Sequence, residues 1–118
     1  MSDLIDRYLT AWNTTDPAAR RDAIEDTFTP EVSYVDPLVD VRGADQLEAT
    51  IAAVQGQFPG FVFTQLGEAD AHHGVVRFRW GLGPEGQEPV VEGFDVATAE
   101  GRRITSVTGF LDKVPTVS

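Results

Sequence analysis

The spacing of apolar residues predicts three helices in the first half of the chain. Helical periodicity places one set of apolar side chains on a single face of each helix. These sets are Ile5, Tyr8, Leu9 and Trp12 in the first helix, Ala23, Ile24 and Phe28 in the second, and Leu47, Ile51 and Val54 in the third. Asp16 as an N-cap and Pro17 at the first helical position mark the start of the second helix.

Alternating apolar and polar residues predict one strand before the third helix and four strands after it. The first strand covers residues 31–36 and places Val32, Tyr34 and Asp36 on one face. The later strands are expected at 61–66, 72–82, 90–98 and 104–112, with Val76, Phe78, Trp80 and Leu82 on one face of the second of these. Because short turns favour antiparallel neighbours, we expect an α+β fold in which helices cover one face of a bent, mostly antiparallel sheet and enclose a pocket.

The chain length and the absence of long apolar runs limit the possible architecture. A length of 118 residues favours one domain over residues 1–118. No apolar run is long enough to span a membrane, and the N-terminus lacks the basic start and apolar core of a signal peptide. A cytoplasmic location is therefore the default expectation.

Charge makes nucleic acids and membranes poor partners for this chain. Nineteen acidic residues against nine basic ones give a formal net charge of -10, which repels phosphate backbones and anionic lipids. Three small basic pairs are diluted by acids, and we expect them to be solvated charges or interface contacts. They are Arg20-Arg21, Arg77 with Arg79, and Arg102-Arg103.

The sequence gives no support for a metal ion or a cofactor. There is no cysteine, so thiolate sites are excluded. His72 and His73 are adjacent and would point to opposite faces of a strand, which favours an exposed pair at the end of a hairpin. No glycine-rich phosphate loop is present.

Three ionisable residues lie within apolar stretches, where such groups are costly unless they have a partner or a task. They are Tyr8, Asp36 and Asp95. Each also has a structural explanation: Asp36 before Pro37 could mark the end of a strand, and Tyr8 could be a core aromatic. For Asp95 the structural explanation is a hydrogen bond to Tyr8 or to a backbone group.

Several motifs along almost the whole chain resemble the NTF2-like superfamily, a cone-shaped α+β fold. They are Arg7-Tyr8-Leu9-Thr10-Ala11-Trp12, Phe28-Thr29-Pro30, Tyr34-Val35-Asp36-Pro37 followed by Gly43, Gly93-Phe94-Asp95, and Gly101-Arg102-Arg103-Ile104. The superfamily includes ketosteroid isomerases, SnoaL-type polyketide cyclases, limonene epoxide hydrolases and many non-enzymatic proteins.

The resemblance to the isomerases implies an acid–base site. Asp36 would act as the general base, while Tyr8 and a protonated Asp95 would donate hydrogen bonds to an enolate oxygen. The neighbours of Asp95 on its strand face carry no cation, so we expect burial to raise its pKa. The substrate would be a small hydrophobic carbonyl compound, and no cofactor is implied. Aromatic residues are expected to line the pocket: Trp12, Tyr34, Phe58, Phe63, Phe78, Trp80 and Phe110.

The same motifs distinguish between the other activities found in the superfamily. Epoxide hydrolysis is disfavoured, because the predicted strands contain no Arg-x-Asp pair and Gly109 stands where those hydrolases would place an aspartate. The cyclases use a late-strand aspartate as acid–base, which Asp95 could supply. A non-catalytic ligand-binding or structural module also remains open. A homodimer is expected from the family, with the face of Arg77 and Arg79 as one candidate interface.

Overall fold

A computed structural model of the chain describes residues 2–115. The elements in this range are α1 (Ser2–Asn13), α2 (Pro17–Thr27), β1 (Phe28–Val35), β2 (Asp40–Arg42), α3 (Ala44–Gln57), β3 (Phe61–His72), β4 (Val75–Pro84), β5 (Val91–Glu100) and β6 (Arg103–Lys113). None of the helices in residues 2–115 has the length and apolar character needed to cross a bilayer. Asp16 caps α2 as expected, since its carboxylate accepts a 2.9 Å hydrogen bond from the backbone N–H of Ala19.

The strands form one six-stranded sheet in the order β2-β1-β6-β5-β4-β3. All neighbouring strands are antiparallel except β1 and β6, which pair in parallel. A parallel pair is possible there because these two strands come from opposite ends of the chain and are not joined by a hairpin turn. The three helices pack on a curved mixed sheet, so the predicted α+β cone is confirmed.

Four strands differ from the sequence-based expectation. Strand β1 begins at Phe28, which was expected on the second helix, and β4 begins at Val75 rather than at residue 72. The short strand β2 was not predicted; its three residues pair with the end of β1. Strand β3 continues to His72 rather than ending at Leu66, because a register irregularity between Leu66 and Asp70 lets the pairing resume beyond Gly67, whose φ is positive. His72 and His73 are both exposed at the β3–β4 turn, as the hairpin-end interpretation predicted.

The core lies between the helices and the inner face of the sheet. Apolar side chains of α1 and α3 meet those of β1, β4, β5 and β6 there. Along β5, buried and half-buried residues alternate strictly from Val91 to Ala97. This alternation places Asp95 on the buried face, in the row of Val91 and Gly93, where it was predicted.

Arg20 is a buried structural residue, and the prediction that it is a solvated or interface charge is wrong. Its guanidinium donates a 2.8 Å hydrogen bond to the side chain of Gln55 on α3. Gln55 in turn donates 2.9 Å hydrogen bonds to the backbone oxygens of Trp12 and Thr14. This chain of contacts satisfies the carbonyl end of α1 and fixes the position of Trp12.

Candidate active site

A cavity of about 230 Å³ lies between the helices and the sheet. Drug-sized ligands usually occupy pockets of roughly 300–1,000 Å³, so this cavity suits a smaller molecule. Its walls are mostly apolar, and the exposed side chains of Leu38 and Val114 are part of the lining. The polar side chains in the cavity are two tyrosines, two aspartates and one glutamine, besides the indole groups.

The first polar pair joins α1 to β5. The hydroxyl of Tyr8 donates a 2.5 Å hydrogen bond to Oδ2 of Asp95, and each residue is only 3% exposed. Tyr8 is held in place by edge-on contacts with the rings of Phe28 and Phe78, at centroid distances of 5.8 and 5.3 Å. Because the two residues are 87 positions apart in the sequence, only the folded chain brings them together.

Burial dominates the electrostatics of this first pair. The pKa of Asp95 is raised to about 6. Desolvation is the main cause, the hydrogen bond from Tyr8 and the nearby indole of Trp80 lower the pKa, and the charge of Asp36 raises it. Desolvation and the charge of Asp95 also hold the pKa of Tyr8 well above its usual range. Tyr8 therefore keeps its proton, while Asp95 can be either acid or carboxylate near neutral pH.

The second polar pair lies where β1 ends. The hydroxyl of Tyr34 donates a 2.8 Å hydrogen bond to Oδ2 of Asp36. The other oxygen, Oδ1, accepts hydrogen bonds from the backbone N–H groups of Leu38 and Val39 at 2.8 and 3.0 Å. This Asx turn terminates the strand, as one interpretation of the Asp-Pro dipeptide predicted. Burial, followed by the charges of Asp95 and Asp36, raises the pKa of Tyr34.

Gly109 is the point at which the two pairs approach each other. It faces Asp95 in the β5–β6 register. A Cβ atom at Gly109 would lie 2.7 Å from Oδ1 of Asp95 and 3.4 Å from Cβ of Asp36. Only a residue without a side chain leaves this space open. Both carboxyl groups therefore reach one end of the same cavity, which allows both to contact one ligand.

The sequence pattern of the SnoaL-like domain family matches residues 5–107, which is most of the chain. The chain belongs to this family. A search of curated protein sequences gives no match. A crystal structure of a SnoaL-like family protein from Agrobacterium tumefaciens str. C58, described as a candidate isomerase, is 35% identical with a TM-score of 0.87, and the alignment covers 93% of this chain and 95% of that one.

More distant structures share the fold. A candidate SnoaL-like polyketide cyclase from Jannaschia sp. CCS1 is 18% identical with a TM-score of 0.71, and the match covers 94% of this chain and 86% of that one. A protein with a ketosteroid isomerase-like fold from Catenulispora acidiphila, in complex with trimethylamine, is 20% identical with a TM-score of 0.71, over 90% of this chain and 82% of that one. The predicted relationship to the NTF2-like superfamily is confirmed.

Two of the aromatic residues expected in the pocket of this SnoaL-like domain lie elsewhere. Phe110 is 47% exposed and stacks on Phe94 at 4.8 Å, because alternation along β6 turns it outward when Gly109 turns inward. Phe78 faces inward but is buried behind Tyr8 and does not line the cavity. The prediction that these two residues line the pocket is therefore corrected. The other five aromatic residues do line it: Trp12, Tyr34, Phe58, Phe63 and Trp80.

Sequence reasoning missed part of the cavity wall. The additional lining residues are Leu38, Val54, Gln57, Leu82, Val91, Leu111, Val114 and Pro115. Val54 and Leu82 were already in the predicted inward sets, so periodicity carried the signal that they face the interior. Leu38, Val114 and Pro115 lie outside helices and strands, where no periodic pattern exists to identify them.

The cavity offers proton transfer and hydrogen bonding rather than a cluster of metal ligands. Within residues 2–115, no three histidine or carboxylate side chains gather as they would around a metal ion. What the site does provide is one carboxylate held by backbone N–H groups and one carboxyl group whose burial favours the acid form. Such a pair can remove a proton from a ligand and stabilise the negative charge that results.

Proposed function

We propose that this SnoaL-like domain is a cofactor-free isomerase or cyclase acting on a small hydrophobic carbonyl compound. The observation that carries the proposal is the meeting of two tyrosine–carboxyl pairs across Gly109, at one end of an apolar cavity. Two carboxyl groups with contrasting environments are the usual arrangement for separate acid and base roles.

In the proposed reaction, Asp36 is the base. Its carboxylate takes a proton from the carbon next to the substrate carbonyl. The electron pair of the broken C–H bond forms a C=C bond, and the π electrons of the carbonyl move onto its oxygen to give an enolate. When the substrate binds, the hydroxyl of Tyr8 transfers its single hydrogen bond from Asp95 to that oxygen, and the acid form of Asp95 donates a second hydrogen bond to it. Asp36 then returns the proton to another carbon of the allylic system. In the cyclase variant, the enolate carbon instead attacks a second carbonyl of the same substrate, and the new alkoxide takes the proton.

The acid form of Asp95 follows from burial. In the free protein its pKa of about 6 leaves much of the group ionised at neutral pH, with Tyr8 donating to it. A ligand that fills the cavity excludes more water from Asp95 and so favours the uncharged acid. Ligand binding is therefore expected to be accompanied by proton uptake near neutral pH.

Cavity size and lining define the proposed substrate class. Among the described residues that line the cavity there is no lysine, arginine or histidine, so carboxylate and phosphate substrates would lack a cationic partner. The volume of about 230 Å³ favours a compound of one or two rings over a four-ring steroid. A neutral, enolisable ketone of that size has the required polarity.

The test uses a panel of one- and two-ring β,γ-unsaturated ketones, with solvent deuterium exchange at the α-carbon and conjugation of the double bond as readouts. Asp36→Asn should lower the rate by about 100- to 10,000-fold. Asparagine keeps an oxygen for the backbone N–H groups of Leu38 and Val39, so the turn should survive. Asp40→Asn, at an exposed site on β2, is the matched control. Full activity of Asp36→Asn would show that the base assignment is wrong.

A second candidate is a non-catalytic module that binds a small molecule. The three hydrogen bonds accepted by Asp36 favour it, because they give this residue a complete structural explanation. The trimethylamine complex of the Catenulispora relative is also compatible with a binding role. This candidate predicts that ketones or phenols bind with neither exchange nor conjugation. The expected homodimer and cytoplasmic location stay predictions.

A further inference from the structure

The indole of Trp80 packs against a glycine of the neighbouring strand. Trp80 on β4 faces Gly93 on β5. A Cβ atom at Gly93 would lie 2.7 Å from Cζ2 and 3.0 Å from Cε2 of the indole, so this edge of the ring lies directly over the glycine. The ring nitrogen Nε1 is bonded to Cε2. The N–H group is therefore on the edge that lies over β5, where Asp95 is the next residue on the same face.

This N–H group is buried without a conventional partner. Trp80 is 9% exposed, and Nε1 has no hydrogen-bond partner among residues 2–115. An indole N–H can only donate, and buried donors are rarely left unpaired in native proteins. The carboxyl group of Asp95, two residues along β5 from Gly93, lines the same cavity as Trp80; Tyr8 bonds to its Oδ2, while its Oδ1 lies over Gly109. Because Tyr8 occupies only one of the two carboxyl oxygens, Asp95 has the capacity to accept a second hydrogen bond.

We propose that Trp80 is a positioning residue of the site, whose indole N–H donates a hydrogen bond to the ionised carboxylate of Asp95. This bond stabilises the carboxylate and so sets the balance between the acid and carboxylate forms of Asp95 that a ligand encounters. Trp80 acts through Asp95 and takes no part in proton transfer. Its relevance to ligand chemistry rests on the proposed function, but the hydrogen bond itself does not.

The charges around Asp95 agree with this role. Asp95 faces Tyr8 from α1, Trp80 from β4, Tyr34 from β1 and Asp36 from the end of β1. Burial and the charge of Asp36 favour the acid form, whereas Tyr8 and Trp80 favour the carboxylate. An indole N–H does not titrate in this pH range, so as a hydrogen-bond donor it keeps part of Asp95 in the carboxylate form at neutral pH. Without Trp80, Asp95 would remain an acid over more of the neutral range.

The first experiment compares Trp80→Phe with Phe63→Leu by carboxyl-carbon NMR of Asp95 across pH. Trp80→Phe should raise the apparent pKa of Asp95 by about one pH unit, as expected for the loss of one hydrogen bond to a charged group. Phe63 lines the cavity and packs on the same indole at 5.4 Å but has no polar atom, so its variant should leave the pKa unchanged. An unchanged pKa in Trp80→Phe, or equal increases in both variants, would overturn the proposal.

The second experiment needs no change at Trp80. The indole proton of Trp80 is followed by NMR through the titration of Asp95, with Trp12→Phe used to assign the two indole signals of the chain. In the unchanged protein the Trp80 signal should move downfield as Asp95 ionises, and in Asp95→Asn it should stay constant. A constant signal in the unchanged protein overturns the proposal. Neither experiment requires turnover, so a protein without isomerase activity can still confirm the Trp80–Asp95 bond, and an active one can still refute it.

Discussion

The two tyrosine–carboxyl pairs contain the same groups but are built in opposite ways. Tyr8 and Asp95 come from elements 87 positions apart and are almost fully buried. Tyr34 and Asp36 are two positions apart, and Asp36 is only half-buried. The first pair forms only when the helices close over the sheet. The second pair needs little more than the end of one strand and its turn.

This difference in construction separates the chemical properties of the two carboxyl groups. Asp95 loses water on folding, which favours its acid form. Asp36 instead is half-buried and accepts two backbone hydrogen bonds. The same type of side chain therefore lies in two contrasting environments, which is what the proposed acid and base roles require. A substitution in one pair can therefore be judged against the other pair as a reference.

The largest expected effect is on the pH dependence of stability. Folding raises the pKa of Asp95 from about 4 to about 6, so the folded state holds a proton that the unfolded state releases. The stability that this proton contributes is present below about pH 4 and is lost as pH rises through 6. Relative to Asp95→Asn, the unchanged protein should lose roughly 3 kcal/mol of unfolding free energy between pH 3 and pH 7.

Urea denaturation at a series of pH values would measure this loss. Asp40→Asn, which changes an exposed aspartate, should follow the curve of the unchanged protein. Parallel curves for Asp95→Asn and the unchanged protein would mean that burial does not perturb Asp95.

The next largest effect is expected at the glycine between the pairs. Gly109→Ala would place a methyl group 2.7 Å from Oδ1 of Asp95, which must move away and weaken its bond to Tyr8. We expect a loss of about 2 kcal/mol, from overpacking and a strained hydrogen bond. Gly56→Ala in α3 is the control, since nothing lies within 4 Å of its added methyl group and the helix should gain about 0.5–1 kcal/mol. Equal responses of the two variants in thermal melts would argue against a shared space at Gly109.

Periodicity predicted much of this fold because most side chains in the core belong to regular elements. Tyr8 and Trp12 follow helical spacing, and Asp95 follows strand alternation, so their inward positions could be read from the chain. The same alternation places Phe110 outward once Gly109 is inward. Its assignment to the pocket rested on residue type alone and was wrong.

The features that could not be predicted depend on register and on long-range contact. The role of Gly109 depends on its pairing with Asp95, which no local pattern specifies. Burial of Arg20 depends on Gln55, which lies 35 positions away. Leu38 and Val114 reach the cavity from segments without a repeating pattern. Local preferences cannot specify such contacts, because they arise only when the elements have packed.

Removing the hydroxyl of each tyrosine should give a smaller and unequal pair of effects. Tyr8→Phe leaves buried Asp95 without its main donor, so it should cost about 1–3 kcal/mol at pH 7 and raise the pKa of Asp95. Tyr34→Phe leaves Asp36 with two backbone hydrogen bonds, so it should cost less than about 1 kcal/mol. Chemical denaturation at pH 7 compares them, and a larger cost for Tyr34→Phe would reverse the proposed difference between the pairs.

The smallest expected change in stability belongs to the residue with the largest expected role in catalysis. Asp36→Asn keeps an oxygen for the N–H groups of Leu38 and Val39, so its unfolding free energy should stay within about 0.5 kcal/mol of the unchanged protein. Asp36→Ala removes the turn bonds and should cost about 1 kcal/mol. If Asp36→Asn instead costs as much as Asp36→Ala, the charge itself holds the turn, and loss of activity in that variant could no longer be assigned to the missing base. A stable but inactive Asp36→Asn would separate the structural role of this aspartate from its chemical one.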